Sequence, residues 1–294
     1  MIREITQIKL VDKNYPIMLA EIADPPKQLY CRGNLELLNS ECFGIVGTRK
    51  LTSYGKEAAR ELTRDLINSG GFTIVSGLAM GIDAVAHQAA LDAGGKTIAV
   101  LGGGVSDANI GPKINLPLAK NILKNDGLLI SEYSDDEEIF SVNFAMRNRI
   151  ISGLSRGVLV VEADEKSGAL ITAHCALDQN RDVFAVPGNI FSSKSIGPNA
   201  LIKKGAKLVT SGQDILDEYG YNLRLFNGKN NNISTKNPVE QSIIAILENR
   251  GESSTDEIIA DLPNLNISGI LSSLSTLEIN GLVKQSGNGK YRKA

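Results

Sequence analysis

The chain lacks tryptophan and carries only a small excess of negative charge. Of its 294 residues, 31 are Lys or Arg and 33 are Asp or Glu, so the formal net charge is -2. A nearly neutral chain offers phosphate no overall attraction, so nucleic-acid binding would need a local basic site. With 42% hydrophobic and 22% charged residues, the composition excludes a disordered or collagen-like chain.

Cysteines are few, and long apolar runs are absent. Cys31, Cys42 and Cys175 are an odd number at scattered spacings. This pattern fits neither a disulfide framework nor a zinc cluster, so we interpret them as reduced thiols. The N-terminus has no apolar signal region, and no run approaches the ~20 apolar residues that span a bilayer. We therefore expect a soluble cytoplasmic protein without a membrane partner.

Short apolar runs alternate with longer amphipathic stretches between Phe43 and Tyr219. The runs are FGIVG, FTIVS, KTIAVL, LLIS, GVLVVEA, DVFAVP and KLVT. Each is almost continuously apolar, as strands covered on both faces are. Helix-like segments such as 54–69, 82–93 and 170–180 separate them. The alternation predicts an α/β fold with a doubly wound, mostly parallel sheet.

The sequence divides into four segments. Residues 1–40 contain a Pro-Pro step that blocks a continuous helix, and we expect a leader packed on the sheet domain of residues 41–221. Residues 222–237 hold six Asn in sixteen positions and predict an exposed linker. Residues 238–294 show three helix-like runs and an alternating segment around Gly287-Asn288-Gly289, which predicts a small winged-helix domain.

Glycine-rich loops follow three consecutive predicted strands. They are Gly47-Thr48-Arg49-Lys50, SGLAMGID from Ser76, and Gly102-Gly103-Gly104. Ligands of doubly wound sheets bind at such loops, where backbone N–H groups point at anions. Arg49 adds a permanent cation with a planar donor fork suited to phosphate. A tight turn explains each loop alone, but the three together predict a phosphate-bearing ligand.

A second basic segment runs from Phe144 to Arg156. Arg147 and Arg149 are two residues apart and cannot share one helical face, so we expect one to face the ligand and the other to brace the fold. Phe144 offers a ring on which a base can stack. The alternative is a Phe144 in the core and an arginine paired with Glu162 or Asp164.

Enzyme signatures are missing. There is no G-x-G-x-x-G, and Gly94-Gly95-Lys96-Thr97 fails as a Walker A motif because Ala90 stands at its first glycine. His87 has no evident partner for nucleophilic or metal chemistry, and neither has the neighbouring pair His174-Cys175. We therefore predict no catalytic residue, no metal and no cofactor.

Several motifs together resemble the DNA-processing protein A family, also called DprA or Smf. They are SGLAMGIDAVAHQAAL, FAMRNRIISGLSRGVLVVEA, SGALITA, VFAVPG and GPNALIKKGAKLVTS, within residues 15–219. The resemblance implies an extended Rossmann-like domain that binds single-stranded DNA and forms a homodimer. It also implies that the protein hands DNA to the recombinase RecA during natural transformation, without enzymatic activity.

The resemblance also implies site residues. Arg49 matches the family's DNA-binding arginine, Lys113 matches its lysine after a proline, and the segment from Phe144 matches F-P-x-R-N-R. With the glycine loops and the SGALITA motif, the predicted DNA-binding residues are Gly47, Thr48, Arg49, Gly77, Lys113, Phe144, Arg147, Asn148, Arg149, Ser167 and Gly168.

Some positions depart from the family pattern. Ala145 replaces the usual Pro, Ser141 replaces a basic residue, and Gly111 replaces an aromatic residue. We therefore expect weaker binding or an altered DNA path, and a helical N-terminal domain found in many relatives is expected to be missing. The predicted recognition helix, residues 267–280, has no Lys or Arg, so we do not expect it to read duplex DNA. Weak backbone contact by the hairpin or protein docking remain as its roles.

Two alternatives keep the same sheet but change the function. One is a nucleotide hydrolase like the Lonely Guy phosphoribohydrolases, although Asn189 and Ile190 follow Pro187-Gly188 where P-G-G-x-G-T-x-x-E is required. The other is a nucleotide-sensing adaptor with a mononucleotide in the same pocket.

Overall fold

The computed structural model describes two compact units, Met1–Leu223 and Arg224–Ala294. The described residues are 4–220, 237–263, 265–279, 282–286 and 289–293. The predicted linker lies outside them except for Asn237, whose side chain caps the helix that follows. Within the described ranges, no helix is both long and apolar enough to cross a membrane.

A nine-stranded sheet forms the centre of the first unit, in the order β1-β2-β6-β5-β4-β3-β7-β8-β9. The strands are β1 (Ile5–Lys9), β2 (Gln28–Gly33), β3 (Cys42–Val46), β4 (Thr73–Ser76), β5 (Thr97–Leu101), β6 (Leu128–Ser131), β7 (Gly157–Val160), β8 (Asp182–Ala185) and β9 (Lys207–Leu208). In this order, the seven strands β6-β5-β4-β3-β7-β8-β9 are all parallel to one another. The predicted doubly wound, mostly parallel sheet is therefore confirmed.

Helices cover both faces of the sheet. They are α1 (Ile17–Ala20), α2 (Ser53–Gly70), α3 (Ile82–Asp92), α4 (Leu116–Lys124), α5 (Asn143–Met146), α6 (Asn148–Leu154), α7 (Gly168–Asp178), α8 (Ile196–Lys203) and α9 (Gly212–Glu218). Alternate residues of β3 serve opposite faces, because Phe43 packs with Leu66 of α2 whereas Val46 packs with Ile151 of α6. All five residues of β3 are buried, as a central parallel strand requires.

The N-terminal segment differs from its prediction as a leader packed on the sheet. Two of its stretches are strands of the sheet itself, with β1 antiparallel to β2 and β2 antiparallel to β6. Arg32 of β2 forms an ion pair with Asp107 at 2.6 Å, which ties this edge to the loop after β5. The pairing of β2 with β6 joins residues about 100 positions apart, as Tyr30 with Ser131, so no local sequence signal announces it.

The topology places a crevice at β3. This strand is flanked by β4 on one side and β7 on the other, and the chain builds the sheet outward in both directions. Loops after β3 and β7 therefore diverge from a common edge, which is where open α/β sheets bind ligands.

The described residues of the second unit form three helices and a three-stranded antiparallel sheet. Its elements are α10 (Pro238–Arg250), β10 (Glu252–Ser254), α11 (Thr255–Asp261), α12 (Ile267–Ile279), β11 (Val283–Ser286) and β12 (Lys290–Lys293), with the strand order β10-β12-β11. Ile243, Ile258 and Leu274 meet in its core. The winged-helix assignment stays a prediction, and Gly287 and Asn288 of the predicted turn lie outside the described residues.

Candidate functional site

A cleft of about 580 Å³ opens at the crevice beside β3. Its walls come from the loop after β3, the segment around α5 and α6, and the start of α7. The predicted residues that line it are Gly47, Thr48, Arg49, Phe144, Arg147, Asn148, Ser167 and Gly168. A neighbouring cavity of about 180 Å³ adds Gly77 and shares Arg49, Phe144 and Arg147 with the cleft.

The rim of the cleft carries Arg49 and Lys50, which we call the rim pair. Both side chains are exposed. Across the described ranges, neither has a carboxylate partner. The loop that carries them is fixed, because the Thr48 N–H donates to the Glu162 carbonyl at 2.6 Å and the Lys50 N–H donates to Thr48 Oγ1 at 3.2 Å. Two cations on a fixed loop are thus free to meet an anion.

The floor of the cleft carries Arg147 and Asp83, which we call the floor pair. They are only 4% and 6% exposed, and Arg147 Nη1 donates to the Val100 carbonyl at 2.9 Å. Burial lowers the pKa of Arg147 to about 10, so it stays charged at neutral pH. Burial also raises the pKa of Asp83, while the charge of Arg147 opposes that shift. The two charges offset each other inside the fold.

Two glycines of the loop after β4, Gly77 and Gly81, allow close packing against the floor pair and the loop after β3. The Asp83 carboxylate accepts the Gly77 N–H at 3.1 Å and the Ala79 N–H at 3.4 Å, which fixes the loop after β4. A Cβ on Gly77 would lie 1.4 Å from Arg147 Nη1, so Gly77 makes room for the guanidinium. Gly81 has φ 85°, and a Cβ there would lie 2.2 Å from the Thr48 carbonyl.

Arg149 points away from the cleft. It forms ion pairs with Asp24 at 3.0 Å and Glu132 at 2.8 Å. Arg149 therefore braces the N-terminal segment, whereas a ligand-facing role for Arg147 stays a prediction. The alternative in which one arginine pairs with Glu162 or Asp164 is wrong.

Phe144 is half-buried and lines both cavities, so it is not a core residue. Its ring packs on Gly102, where a Cβ would lie 2.9 Å from Phe144 Cδ1. One part of the ring is thus held by the backbone while the rest borders open space. This arrangement suits stacking of a planar group.

The N-terminus of α7 also opens onto the cleft. Ser167 is its cap and accepts the Ala169 N–H at 3.3 Å, while a Cβ on Gly168 would have no neighbour within 4 Å. Asn148 Nδ2 donates to the Gly168 carbonyl at 3.2 Å and ties α6 to this end. The start of a helix carries a partial positive charge, so the open space beside Gly168 favours anions.

Lys113 lies outside both cavities, although Gly111 and Pro112 line the smaller one. Its ammonium donates to the carbonyls of Asp107, at 3.2 Å, and Ala108. The structure therefore brings together nine of the eleven predicted residues and leaves Lys113 and Arg149 apart.

Sequence reasoning missed three charged residues of the cleft. Asp83, Lys50 and Lys194 line the cleft but are not in the predicted set, and Lys194 pairs with Asp164 at 2.7 Å. The adjacency of Lys50 to Arg49 was the available signal. No local signal pointed to Lys194.

The histidine nearest the cleft is structural. His87 is fully buried, and its Nδ1 lies 2.7 Å from Thr97 Oγ1. Thr97 donates its hydroxyl proton to the Ile74 carbonyl, so the His87 Nδ1–H is the donor to Thr97. Burial lowers the pKa of His87 to about 3. Among the described residues, no three His, Cys, Asp or Glu side chains are grouped to hold a metal ion.

Known proteins have sequences similar to this chain. The chain is similar to DNA processing protein DprA of Bacillus subtilis, with 46% identity over 215 residues, covering 73% of this chain and 71% of that protein. It is also similar to protein Smf of Escherichia coli, with 40% identity over 283 residues, covering 95% of this chain and 75% of that protein.

Solved structures agree with the sequence comparison. The X-ray structure of DprA from Streptococcus pneumoniae has a TM-score of 0.69 and 45% identity, covering 73% of this chain and 74% of that one. DNA processing protein A from Helicobacter pylori, solved for its single-stranded DNA binding mode, has a TM-score of 0.65 and 31% identity, covering 76% and 100%. The family model for DNA recombination-mediator protein A matches residues 6–220, and the chain belongs to this family.

Proposed function

We propose that the first unit binds single-stranded DNA in the cleft. The observation that carries the proposal is the rim pair, two exposed cations without a carboxylate partner in the described structure, on a molecule whose net charge is -2. The relative from Helicobacter pylori, whose structure concerns single-stranded DNA binding, supports the same ligand.

The cleft residues divide the work of binding. The rim pair holds phosphates, and the N–H groups of the loop from Gly47 and of the α7 start at Ser167 and Gly168 add donors. Phe144 stacks a base without regard to its identity. Lys113 contacts a strand that passes beyond the smaller cavity.

The remaining predicted residues act through the fold. Gly77 and Arg147 shape the floor, Asn148 ties α6 to α7, and Arg149 anchors α6 to the N-terminal segment. We assign them positioning roles, because Arg147, Asn148 and Arg149 each donate a side-chain hydrogen bond within the protein.

The biological role follows from the family. We propose a cytoplasmic homodimer that protects incoming single-stranded DNA and loads the recombinase RecA during natural transformation, acting by binding and not by catalysis. Membership of the DNA recombination-mediator protein A family supports this role.

Oligonucleotide titration tests the proposed function. Labelled single and double strands would be titrated with wild type, Arg49→Ala and Lys113→Ala. Arg60, an exposed arginine of α2 without an ion pair among the described residues, supplies the matched control Arg60→Ala. We expect tighter binding of single strands and about a tenfold loss for Arg49→Ala, the value of one charge-assisted hydrogen bond. Unchanged affinity in both Arg49→Ala and Lys113→Ala would contradict the proposal.

A further inference from the structure

The N-terminus of α2 lies where doubly wound sheets usually hold a ligand's phosphate. This helix follows β3, at the point where the strand order reverses, and has 18 residues. Its free N–H groups and positive end would attract a nucleotide phosphate. In this protein, however, a carboxylate already occupies that end.

The carboxylate belongs to Glu162, which follows β7 and is only 3% exposed. Its Oε2 accepts the Thr52 N–H at 2.9 Å, and its Oε1 accepts the Thr52 hydroxyl at 2.5 Å. Thr52 is the cap of α2 and accepts the Gly55 N–H at 3.1 Å. A Cβ on Gly55 would lie 2.2 Å from Glu162 Oε2, so this glycine lets the carboxylate rest against the first turn.

The two helix ends beside the cleft are therefore different. At α7, Ser167 and Gly168 line the cleft, and the space beside Gly168 is open. At α2, the Glu162 carboxylate takes the Thr52 donors. The rim pair lies on the loop between β3 and α2, and Glu162 contacts this loop on both sides of the pair, through the Thr48 N–H and the Thr52 donors. An anion bound by the rim pair therefore lies near the negative charge of Glu162.

We propose that Glu162 is a specificity-determining residue that makes the cleft accept phosphodiesters and reject phosphate monoesters. This inference rests on the proposed function. A phosphodiester within a strand carries one negative charge, whereas a terminal phosphate carries about -1.5 to -2 at neutral pH. The extra charge of a mononucleotide is repelled by Glu162 and cannot use the Thr52 donors, so polynucleotide binds and free nucleotides compete weakly.

Competition against a labelled oligothymidylate tests the inference. The competitors are thymidine 5′-monophosphate and its methyl phosphodiester, which differ by one methyl group and about one charge. Simple attraction to the rim pair favours the monoester, whereas the proposal predicts that the diester competes more strongly with wild type, by about threefold or more. Equal competition, or stronger competition by the monoester, would overturn the proposal.

Variants separate the charge of Glu162 from its packing. Glu162→Gln keeps the volume and removes the charge, so the monoester should gain about tenfold while oligothymidylate affinity changes less than about threefold. Glu162→Asp keeps the charge and should keep the wild-type order of the competitors. Glu57→Gln, a matched loss of one acidic charge at an exposed residue of α2 that does not line the cleft, should keep the wild-type order of the competitors.

The outcomes distinguish this inference from the proposed function. If wild type does not bind oligothymidylate, the proposed function fails. If it binds, but Glu162→Gln shifts monoester and diester equally, only the role of Glu162 fails. The wild-type comparison of the two competitors keeps the inference testable even where a variant does not fold.

Discussion

The rim and the floor of the cleft both carry arginine, but in opposite settings. Arg49 on the rim is exposed and has no carboxylate partner among the described residues. Arg147 on the floor is 4% exposed and donates to the Val100 carbonyl, and the negative charge of Asp83 favours its charged form. The same residue type is therefore available to a ligand at one place and committed to the fold at the other.

The two settings differ because an exposed charge is hydrated and a buried charge is not. A cation on the rim keeps its hydration, costs the fold little and can exchange water for phosphate. A cation on the floor has lost its water, so its partners must stay in place to stabilise it. Changes at the floor should therefore alter stability first, and changes at the rim should alter binding alone.

Removal of the floor cation should have the largest effect. Arg147→Leu removes the buried positive charge that opposes the burial of the Asp83 charge, together with the hydrogen bond to the Val100 carbonyl, and should cost about 3–5 kcal/mol of the free energy of unfolding. Urea unfolding followed by circular dichroism measures it. Arg149→Leu is the matched control and should cost less, because its partners Asp24 and Glu132 are 72% and 22% exposed and can regain water. Equal losses of unfolding free energy in the two variants would contradict the distinction between the buried Arg147 and the partly solvated ion pairs of Arg149.

The pH dependence of stability tests the burial of His87, whose charged form the nearby Arg147 also disfavours. The pKa of His87 is lowered to about 3 in the folded protein, whereas an unfolded histidine has a pKa near 6.5. Below about pH 6.5 the unfolded state takes up a proton that the folded state does not, so stability is lost as pH falls. The loss amounts to about 2 kcal/mol between pH 6.5 and 5.

His87→Gln should remove that part of the pH dependence. The measurement is the free energy of unfolding against pH for wild type, His87→Gln and His174→Gln, which removes an exposed histidine. A wild-type slope that persists in His87→Gln would show that other groups cause it.

Phe144 lies between rim and floor, so its removal should affect binding more than stability. Phe144→Ala should weaken single-strand binding by about 1–2 kcal/mol through lost stacking. Phe144→Tyr keeps the ring and should bind within about twofold of wild type. Fluorescence anisotropy with oligothymidylate measures both, and equal losses in Ala and Tyr variants would exclude stacking.

Lys113 should give the smallest effect. Its ammonium already donates to the carbonyls of Asp107 and Ala108, outside both cavities. We expect Lys113→Gln to reduce single-strand affinity by about 0.5 kcal/mol, the scale of a distant and solvated contact. A loss as large as that of Arg49→Ala would place the strand along this loop instead of the rim.

The sequence predicted the parts of the fold that local patterns encode. The strand Leu128–Ser131 and the start of α3 at Ile82 lie where the apolar runs placed them, because buried parallel strands and helices differ in length and periodicity. The strands β1 and β2 were missed, since β2 joins the sheet by pairing with the distant β6.

The sequence predicted which residues lie in the cleft better than it predicted what each of them contacts. Spacing alone separated Arg147 from Arg149, but the partner Asp24 lies 125 residues from Arg149 along the chain and left no local signal. Glu162 was considered only as a partner for an arginine, whereas it accepts hydrogen bonds from Thr52. Such contacts form only when loops from different strands meet.

The salt dependence of single-strand binding tests the central claim most directly. Oligothymidylate affinity would be measured at several salt concentrations for wild type and Arg49→Gln. We expect the logarithm of the binding constant to fall linearly with the logarithm of salt concentration, and the slope to shrink by about 0.7 in the variant, the value for one phosphate contact to a single strand. Absence of a slope in wild type, or an unchanged slope in Arg49→Gln, would contradict capture of DNA by the rim pair.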